Sequence, residues 1–270
     1  NPHLYPFTVE TDSDRVESYF AIRTLETRII DGIPRLCLNG KPYFFHGLLD
    51  QGYWSDGMYT APSDEALIYD IQTMKDLGFN TLRKHIKIEP LRWYYHCDRL
   101  GMIVWQDAVN GGGKYNFVAI GTAPFMSMLF NNKHAGKVSD GSNHFGYFAR
   151  KDPAGRQKYY YDSEEMIDLL YNVTSLALWT PFNEGWGQFC SAKMYEKLKA
   201  LDTTRFIDTA SGWFAGAPSD VTSPHIYFKP VKITKSKKPV LLSEFGGYSC
   251  KIEGHAFNLD KTYGYKHFET

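Results

Sequence analysis

The sequence predicts an α/β chain folded as a (β/α)8 TIM barrel, truncated near its eighth strand. Three observations predict it. Short apolar runs alternate with helix-like segments from about residue 43 onward, polar residues collect where those runs end, and 270 residues suffice for one large domain. Apolar strands separated by helices pair in parallel, because each helix carries the chain back to the starting edge.

The first residues read differently. After "LYPFTVE", alternation sets Val16, Ser18, Phe20 and Ile22 against Glu17, Tyr19, Ala21 and Arg23, the period of two of a β-strand. Two strands are not stable alone, so residues 1–28 either belong to a sandwich whose other strands lie elsewhere or pack on the barrel itself. "DGIPRLCLNGKPYFF" reads as a hairpin turned by Asn39 and Gly40.

"YFFHGLL" is the first barrel strand. Ser63 then caps a helix carrying Leu67, Ile71, Met74 and Leu77 at helical spacing, and Gly78 stops it. "NTLRKHI" is the second strand, and Pro90 opens a helix that ends near Gly101. "MIVWQD" is the third strand, "EEMIDLLYN" a helix and "SLALWTPFNE" the fourth strand. "GQFCSAKMYEKLKALD" is the next helix; "RFIDTAS", "TSPHIYF" and "KPVLLSEFG" complete seven strands. The residues after Glu244 hold no strong apolar strand with a helix behind it, so an eighth strand is not visible. Residues 108–161, polar and rich in Gly and aromatics, read as a long loop over the barrel mouth that shapes the substrate pocket.

Charge and composition exclude several classes. Lys plus Arg equals Asp plus Glu, 30 against 30, so no net field draws in nucleic acid or an anionic membrane. An aromatic share of 16% suits a site that stacks on the apolar faces of sugars. Cys37, Cys97, Cys190 and Cys250 lie far apart and read as reduced thiols, while His134, His144 and His255 lack ligand spacing, so no metal site is expected. No run of apolar residues reaches the length of a membrane span, and "NPHLYPFTVE" has neither an initiator Met nor a signal-peptide profile. The chain reads as a piece of a longer protein, and its compartment is not legible.

Functional residues of a barrel gather at the C-terminal ends of its strands. There stand Asp50, Arg83 with His85, Gln106 with Asp107, Asn183 with Glu184, Asp208 and Ser211, His225 with Tyr227, and Glu244. Glu184 after the fourth strand and Glu244 after the seventh could straddle one sugar ring. Hydrolysis of a glycosidic bond with retention needs two such carboxyls, one acid/base and one nucleophile, about 5–5.5 Å apart.

"LNGKPYFFHG", "DLGFNTLRKH", "WYYHCDRLGMIVWQD", "LALWTPFNEGWG", "DTASGW" and "KPVLLSEFG" resemble, in order and spacing, the catalytic barrel of glycoside hydrolase family 2. The resemblance spans nearly the whole chain, and the Asn183–Glu184 pair and "SEFG" at 243–246 are its most specific parts. It implies residues 1–28 as the C-terminal strands of an immunoglobulin-like β-sandwich and 29–270 as the glycosidase barrel. It implies Glu184 as acid/base, Asn183 on the sugar's 2-hydroxyl and Glu244 as nucleophile.

Physical chemistry asks the same of these residues. Glu184 has to carry a proton, which Trp186 and the charge of Glu244 would favour; Glu244 has to stay ionised, with Arg83 and the Tyr227 hydroxyl beside it. Arg83 is either a clamp on Glu244 or a structural ion pair. Asp107 holds a sugar hydroxyl or Arg83, or is structural, and His225 meets a sugar hydroxyl or is a satisfied core residue. Trp105, Trp186 and Trp213 are candidates for a sugar floor; Trp54, Trp93 and Trp179 read as core.

The reading is then a retaining exo-β-glycosidase acting on an oligosaccharide or glycoside, with β-galactoside favoured. β-Mannosidase or β-glucuronidase specificity, or a non-catalytic carbohydrate-binding barrel, is the alternative. "GMIVWQD" is similar to the β-mannosidase branch, and no Asn and Lys pair that would read a glucuronide carboxylate follows Glu244. No redox cofactor is implied, and a divalent or monovalent cation near the site is not readable. The sugar-binding jelly roll of the family is absent, so the expectation is a parent chain with further β-sandwich domains, homo-oligomeric, in which the barrel alone is weak or inactive.

Overall fold

The computed structural model describes residues 2–122, 125–126, 138–256 and 258–270. It opens with an antiparallel hairpin of β1 (Tyr5–Glu10) and β2 (Arg15–Phe20). A three-stranded antiparallel sheet comes next, β3 (Leu25–Ile30), β4 (Ile33–Leu38) and β5 (Lys41–Pro42). Its two turns, Asp31–Gly32 and Asn39–Gly40, have both residues at positive φ, the geometry whose twist matches the flanking strands. The second turn lies where the sequence placed it; β3 as the outer partner of β4 was not foreseen.

Seven staves then succeed one another in chain order. β6 (Gly47–Asp50), β7 (Thr81–Lys84), β8 (Ile103–Asp107), β9 (Leu176–Thr180) and β11 (Phe206–Ile207) pair in parallel, each beside the next. The fourth and fifth staves continue as β10 (Phe182–Asn183) and β12 (Ala210–Ser211), which also pair in parallel. β13 (His225–Ile226) and β14 (Glu244–Phe245) are the functional ends of staves six and seven, joined lower down by the parallel bridge of Thr222 to Val240. Asp220 N and Gly212 N donate to Ile207 O and Ser223 O, stitching stave five to stave six.

Among the described residues no ladder joins stave seven to stave one. β15 (Tyr248–Cys250), which extends the seventh stave, takes β16 (Lys266–Phe268) as its parallel neighbour instead. The chain therefore has an α/β TIM-barrel architecture with an open seam beside β6.

Among the described residues four α-helices cover the staves. Ser63 caps α1 (Asp64–Asp76), its Oγ accepting from Ala66 N at 3.2 Å, with Asp64 and Glu65 in the first turn and Lys75 in the last, all favourable to the helix dipole. Leu67 and Ile71, one turn apart, bury its inner face. α2 (Leu91–Leu100) comes after Pro90 and ends on Gly101 in the left-handed conformation. α3 (Pro153–Leu170) and α4 (Ser191–Leu201) complete the set.

Two boundaries differ from the expectation. The first barrel strand starts at Gly47 rather than near Tyr43, because Lys41 and Pro42 are still engaged in the hairpin. The loop expected over 108–161 ends early. Asp152 accepts from Ala154 N and Gly155 N at 3.0 and 2.8 Å and Pro153 takes the first helical turn, so α3 begins inside a polar stretch with little apolar periodicity. Residues 123–124 and 127–137 of that segment, His134 included, lie outside the described residues.

Packing divides into layers. Leu67, Ile71, Trp93, Cys97, Met166, Leu170, Trp179 and Met194 fill the space between staves and helices. Trp105, Leu178, Phe206, Val221 and Leu241 fill the lower barrel, with Leu36 and Phe45 of the hairpin region plugging it from below. Trp105 thus belongs to this plug, its ring 5.5 Å from Phe45; it is not a sugar floor, because an inward side chain this low in the barrel lies beneath the site. All four cysteines are free thiols, and no helix of the described residues is long and apolar enough to cross a membrane.

The base is held by buried ion pairing. Asp202 accepts from Trp179 Nε1 at 2.9 Å and Arg205 Nη1 at 2.7 Å, while Arg205 directs its other donors to the carbonyls of Tyr171, Val173 and Leu176. Burial pushes the Asp202 carboxyl up, but the Trp179 and Arg205 bonds outweigh it and hold it down at about 2. A drop from 3.8 to about 2 corresponds to roughly 2 kcal/mol of stability, present above the unfolded carboxyl's value near 4 and lost as pH falls toward 2. Urea titrations at stepped pH are expected to show that loss in the wild type and its absence in Asp202→Asn.

Candidate active site

At the upper end of the barrel the fourth stave breaks its own rule. Leu176–Thr180 is fully buried, Pro181 interrupts it, and Glu184 comes after with φ 52°, a left-handed conformation that costs a non-glycine residue about 1 kcal/mol. It is held there by its amide, which donates to Ser211 O at 3.0 Å, and by Gly185 next to it at φ 86°. A Cβ at Gly185 would sit 2.4 Å from the Phe214 ring, so only glycine fits. The turn aims the Glu184 side chain over the barrel axis, about a third exposed.

Beneath it lies a buried guanidinium. Arg83 on β7 is 3% exposed. It donates Nε and Nη2 to Asp107 at 3.0 and 3.1 Å, Nη1 to Glu244 Oε1 at 2.9 Å and Nη2 to Asn183 Oδ1 at 2.9 Å. The clamp therefore joins staves two, three, four and seven. Asp107 uses both oxygens on Arg83, and its Oδ2 also meets His85 Nδ1 at 2.7 Å, so of the alternatives for Asp107 this structure shows the Arg83 contact. Arg83 only donates, so the Asn183 oxygen faces it and the Asn183 NH2 is left to donate elsewhere.

Glu244 is 8% exposed. Its second oxygen accepts from the Tyr227 hydroxyl. Burial pushes the Glu244 carboxyl up, but His225, Arg83, His85 and the Tyr227 hydroxyl together hold it below the usual carboxylate range. Tyr227 is shifted in the opposite sense: burial and the adjacent carboxylates drive its hydroxyl well above its ordinary value, so it stays a donor. Burial also depresses Arg83, but Asp107 and Glu244 more than restore it.

His225 is fully buried and has both ring nitrogens engaged, Nδ1 with Glu184 Oε1 at 2.7 Å and Nε2 with Ser211 Oγ at 2.7 Å. It is a support beneath Glu184 in this structure rather than a group open to solvent. One donor atom each of Glu184, His225 and Glu244 lie within 4.8 Å of one another. As a metal cradle the set is already engaged: Arg83 and Tyr227 take the Glu244 oxygens, and Glu184 and Ser211 the His225 nitrogens.

Aromatics wall the opening. Trp213 is buried with its ring 5.8 Å from His225 and 6.4 Å from Tyr227, and its indole N–H has no partner among the described residues. Trp186 donates to Gly113 O at 3.3 Å and meets Tyr115 edge-on at 5.8 Å. Two members were not foreseen. Tyr265 packs at a tilt against Tyr227 with ring centroids 4.3 Å apart, and burial together with Tyr263, Glu184 and Glu244 raises its hydroxyl; Tyr115 is raised by burial and Glu184. Tyr265 comes from the aperiodic tail and Tyr115 from the glycine-rich loop, where no strand pattern pointed to the site.

The family model described as "Glycosyl hydrolases family 2, TIM barrel domain" matches residues 30–255. Among curated proteins the chain is 26% identical over 230 residues to a β-galactosidase of Oenococcus oeni, covering 83% of this chain and 19% of that protein. It is 29% identical over 191 residues to a β-galactosidase of Enterobacter cloacae, covering 70% and 16%. The chain thus spans under a fifth of the relatives it matches. Among solved structures, a family 2 β-galacturonidase from Eisenbergiella tayi bound to galacturonate superposes with a TM-score of 0.65 at 19% identity, covering 94% of this chain and 44% of that one. A β-D-glucuronidase of Dictyoglomus thermophilum gives 0.66 at 18% identity, covering 92% and 44%. These two likenesses support the barrel fold.

Removing the clamp while leaving its partners exposes its weight. Arg83→Met strands Asp107 and Glu244 in a buried site and is expected to destabilise the protein by about 3–5 kcal/mol in urea unfolding. Because Glu244 is held down in the native state, the wild type keeps this contribution above the unfolded carboxyl's value and loses it as pH falls; the variant's stability should vary less with acid.

Proposed function

The chain belongs to glycosyl hydrolase family 2, and on that premise we propose that it is the catalytic barrel of a retaining exo-β-glycosidase. The observation that carries the proposal is the approach of Glu184 and Glu244, a carboxylate oxygen of each within 4.8 Å of the other. That nearest-oxygen approach supports the close spacing of double displacement, where the two carboxyl groups stand about 5–5.5 Å apart.

In the proposed cycle Glu244 attacks the anomeric carbon, forming a C–O bond as the glycosidic C–O bond breaks, and Glu184 gives its proton to the departing oxygen. Water then attacks the glycosyl-enzyme, losing a proton to Glu184, and the Glu244 carboxylate leaves. Arg83 and Tyr227 keep Glu244 ionised for the first step and receive its charge back in the second. The Asn183 NH2 faces the sugar's 2-hydroxyl, and Trp213 and Trp186 flank the ring, with the unpartnered Trp213 N–H as a further donor. His225 supports Glu184 in place of the sugar contact. The cycle uses carboxylates and protons and calls on no redox cofactor.

The β-galactoside is the substrate proposed, supported by the names of the curated relatives. The remaining protein is proposed to carry further β-sandwich domains, and the polarity of the first hairpin supports this. Thr8, Glu17 and Tyr19 share the face turned to α2, where Tyr19 donates to Asp98 at 2.8 Å. The opposite face, Tyr5, Phe7, Val9, Val16 and Phe20, is left exposed. An outward apolar face is what a sandwich strand pair shows when its partner sheet is elsewhere, which fits residues 1–28 as the end of an immunoglobulin-like domain.

Two measurements on the full-length protein test the assignment. Glu244→Ala with azide is expected to convert a dinitrophenyl β-glycoside into the α-glycosyl azide, and full activity of that variant without azide would sink the proposal. Glu184→Gln is expected to lose at least about 10²-fold on alkyl glycosides while sparing activated aryl glycosides. Across a panel of nitrophenyl β-glycosides the galactoside should lead; a faster glucuronide or mannoside overturns the substrate alone.

A further inference from the structure

The segment that joins stave six to stave seven carries a charge the rest of the chain does not share. Lys229, Lys232, Lys235, Lys237 and Lys238 fall within ten residues, and no Asp or Glu occurs between Asp220 and Glu244, although the whole chain balances 30 basic against 30 acidic residues. Lys232, Lys235, Lys237 and Lys238 are exposed. Lys158, Lys197 and Lys199 each find a carboxylate, whereas these four have none among the described residues.

Staves six and seven run parallel, so residues 229–238 have to return from the mouth to the base. They do so as a strap with neither helix nor strand. Lys229, Lys232, Lys235 and Lys238 recur at every third position, the repeat that sets one side chain per turn of an extended chain, ~9 Å apart along its axis.

Both ends of the strap are fixed. At the mouth Phe228 packs against Tyr265 with ring centroids 5.2 Å apart, next to Tyr227, whose hydroxyl donates to Glu244. At the base Ser236 Oγ meets Thr222 Oγ1 at 2.7 Å and accepts from Lys238 N at 3.1 Å, while Thr222 N donates to Pro239 O at 2.8 Å. A cavity of about 180 Å³ lies there, and its polar lining is Ser219, Thr222, Ser236, Lys237, Lys238 and the buried Asp208. Burial raises the Asp208 carboxyl to about 6, so it opposes a bound anion less as pH falls.

Like charges gathered this closely repel one another and attract an oppositely charged polymer. The strap holds no aromatic residue and no arginine, whereas sites for single-stranded nucleic acid interleave aromatics on which bases stack. It forms no amphipathic helix of the kind that lies in a membrane surface. Val231 and Ile233 stand exposed between the lysines, apolar surface that the C–H faces of sugars can cover.

We propose that the strap is a binding track for an acidic glycan, a chain of sugars bearing carboxylate or sulfate groups. The chain leaves the mouth, runs down the lysines outside staves six and seven, and sets one anionic group in the cavity at the foot. That the polymer is a glycan rests on the glycosidase reading above; that it is anionic rests on the strap alone. Exo action takes one terminal sugar into the mouth, and the track holds the units that follow.

The test uses the full-length protein and a variant that combines Lys232→Gln, Lys235→Gln, Lys237→Gln and Lys238→Gln. Affinity electrophoresis and calorimetry measure binding to polygalacturonate, a sulfated galactan, neutral galactan, oligothymidylate and phosphatidylserine vesicles. The wild type is expected to bind an acidic glycan in preference to the neutral one, more weakly as salt is added, and the variant to lose at least about tenfold in that affinity. Whichever acidic glycan leads names the anion. Combining Lys232→Arg, Lys235→Arg, Lys237→Arg and Lys238→Arg should keep the binding, and kcat/KM on a nitrophenyl β-galactoside should stay within about twofold in both variants. Equal binding of acidic and neutral galactan, unchanged affinity in the glutamine variant, or tighter binding of oligothymidylate or vesicles than of either acidic glycan overturns the proposal. If no β-glycoside is turned over, the glycosidase reading fails by itself while the binding measurements still decide the track.

Discussion

The guanidinium of Arg83 is the contact on which the site depends. Bringing a cation and two carboxylates out of water costs several kcal/mol per ion, and that cost is offset only if each lone pair and proton finds a partner. Arg83 meets the condition with bonds to Asp107, Glu244 and Asn183, and His85 takes up the excess on Asp107. Four staves are tied at one height as a result. The orientation of Asn183 derives from that one group, and the ionisation of Glu244 from it together with His225, His85 and the Tyr227 hydroxyl.

The two carboxyls at the opening are separated in character by what surrounds them. Glu244 lies deep, gripped by a fixed cation and a phenol that cannot ionise in its company, so its charge is built into the fold. Glu184 stands higher and more exposed, and its carboxyl meets the His225 imidazole. A carboxylate fixed in its charge thus lies less than 5 Å from a more exposed carboxyl at the opening, the pairing on which the proposed double displacement rests.

Much of this was legible because a parallel barrel converts position along a strand into position in space. Polar residues at the ends of "NTLRKHI", "LALWTPFNE" and "KPVLLSEFG" had to converge at one mouth, and Arg83, Asn183, Glu184 and Glu244 do. Height within the barrel was not legible: Trp105 and Asp107 both point inward two residues apart, yet one plugs the base and the other holds Arg83. Asp107 and His225 carried open alternatives because the choice between sugar and protein partners depends on staves far away in sequence. Tyr265 was hidden for a different reason. Its segment has no periodicity, and only the fold of the tail brings it against Tyr227. Ser223 and Ser243 gave no signal beyond ordinary strand residues, and only the fold sets them beside Ser211.

The left-handed backbone at Glu184 sets stability against chemistry at a single position. Glycine would relax there and asparagine would tolerate it better, so drift toward a more stable sequence runs directly through loss of the carboxyl. A chain released from its reaction has every thermodynamic reason to abandon a glutamate in that conformation. The turn holds it there through the Ser211 carbonyl and the neighbouring glycine rather than through any preference of its own.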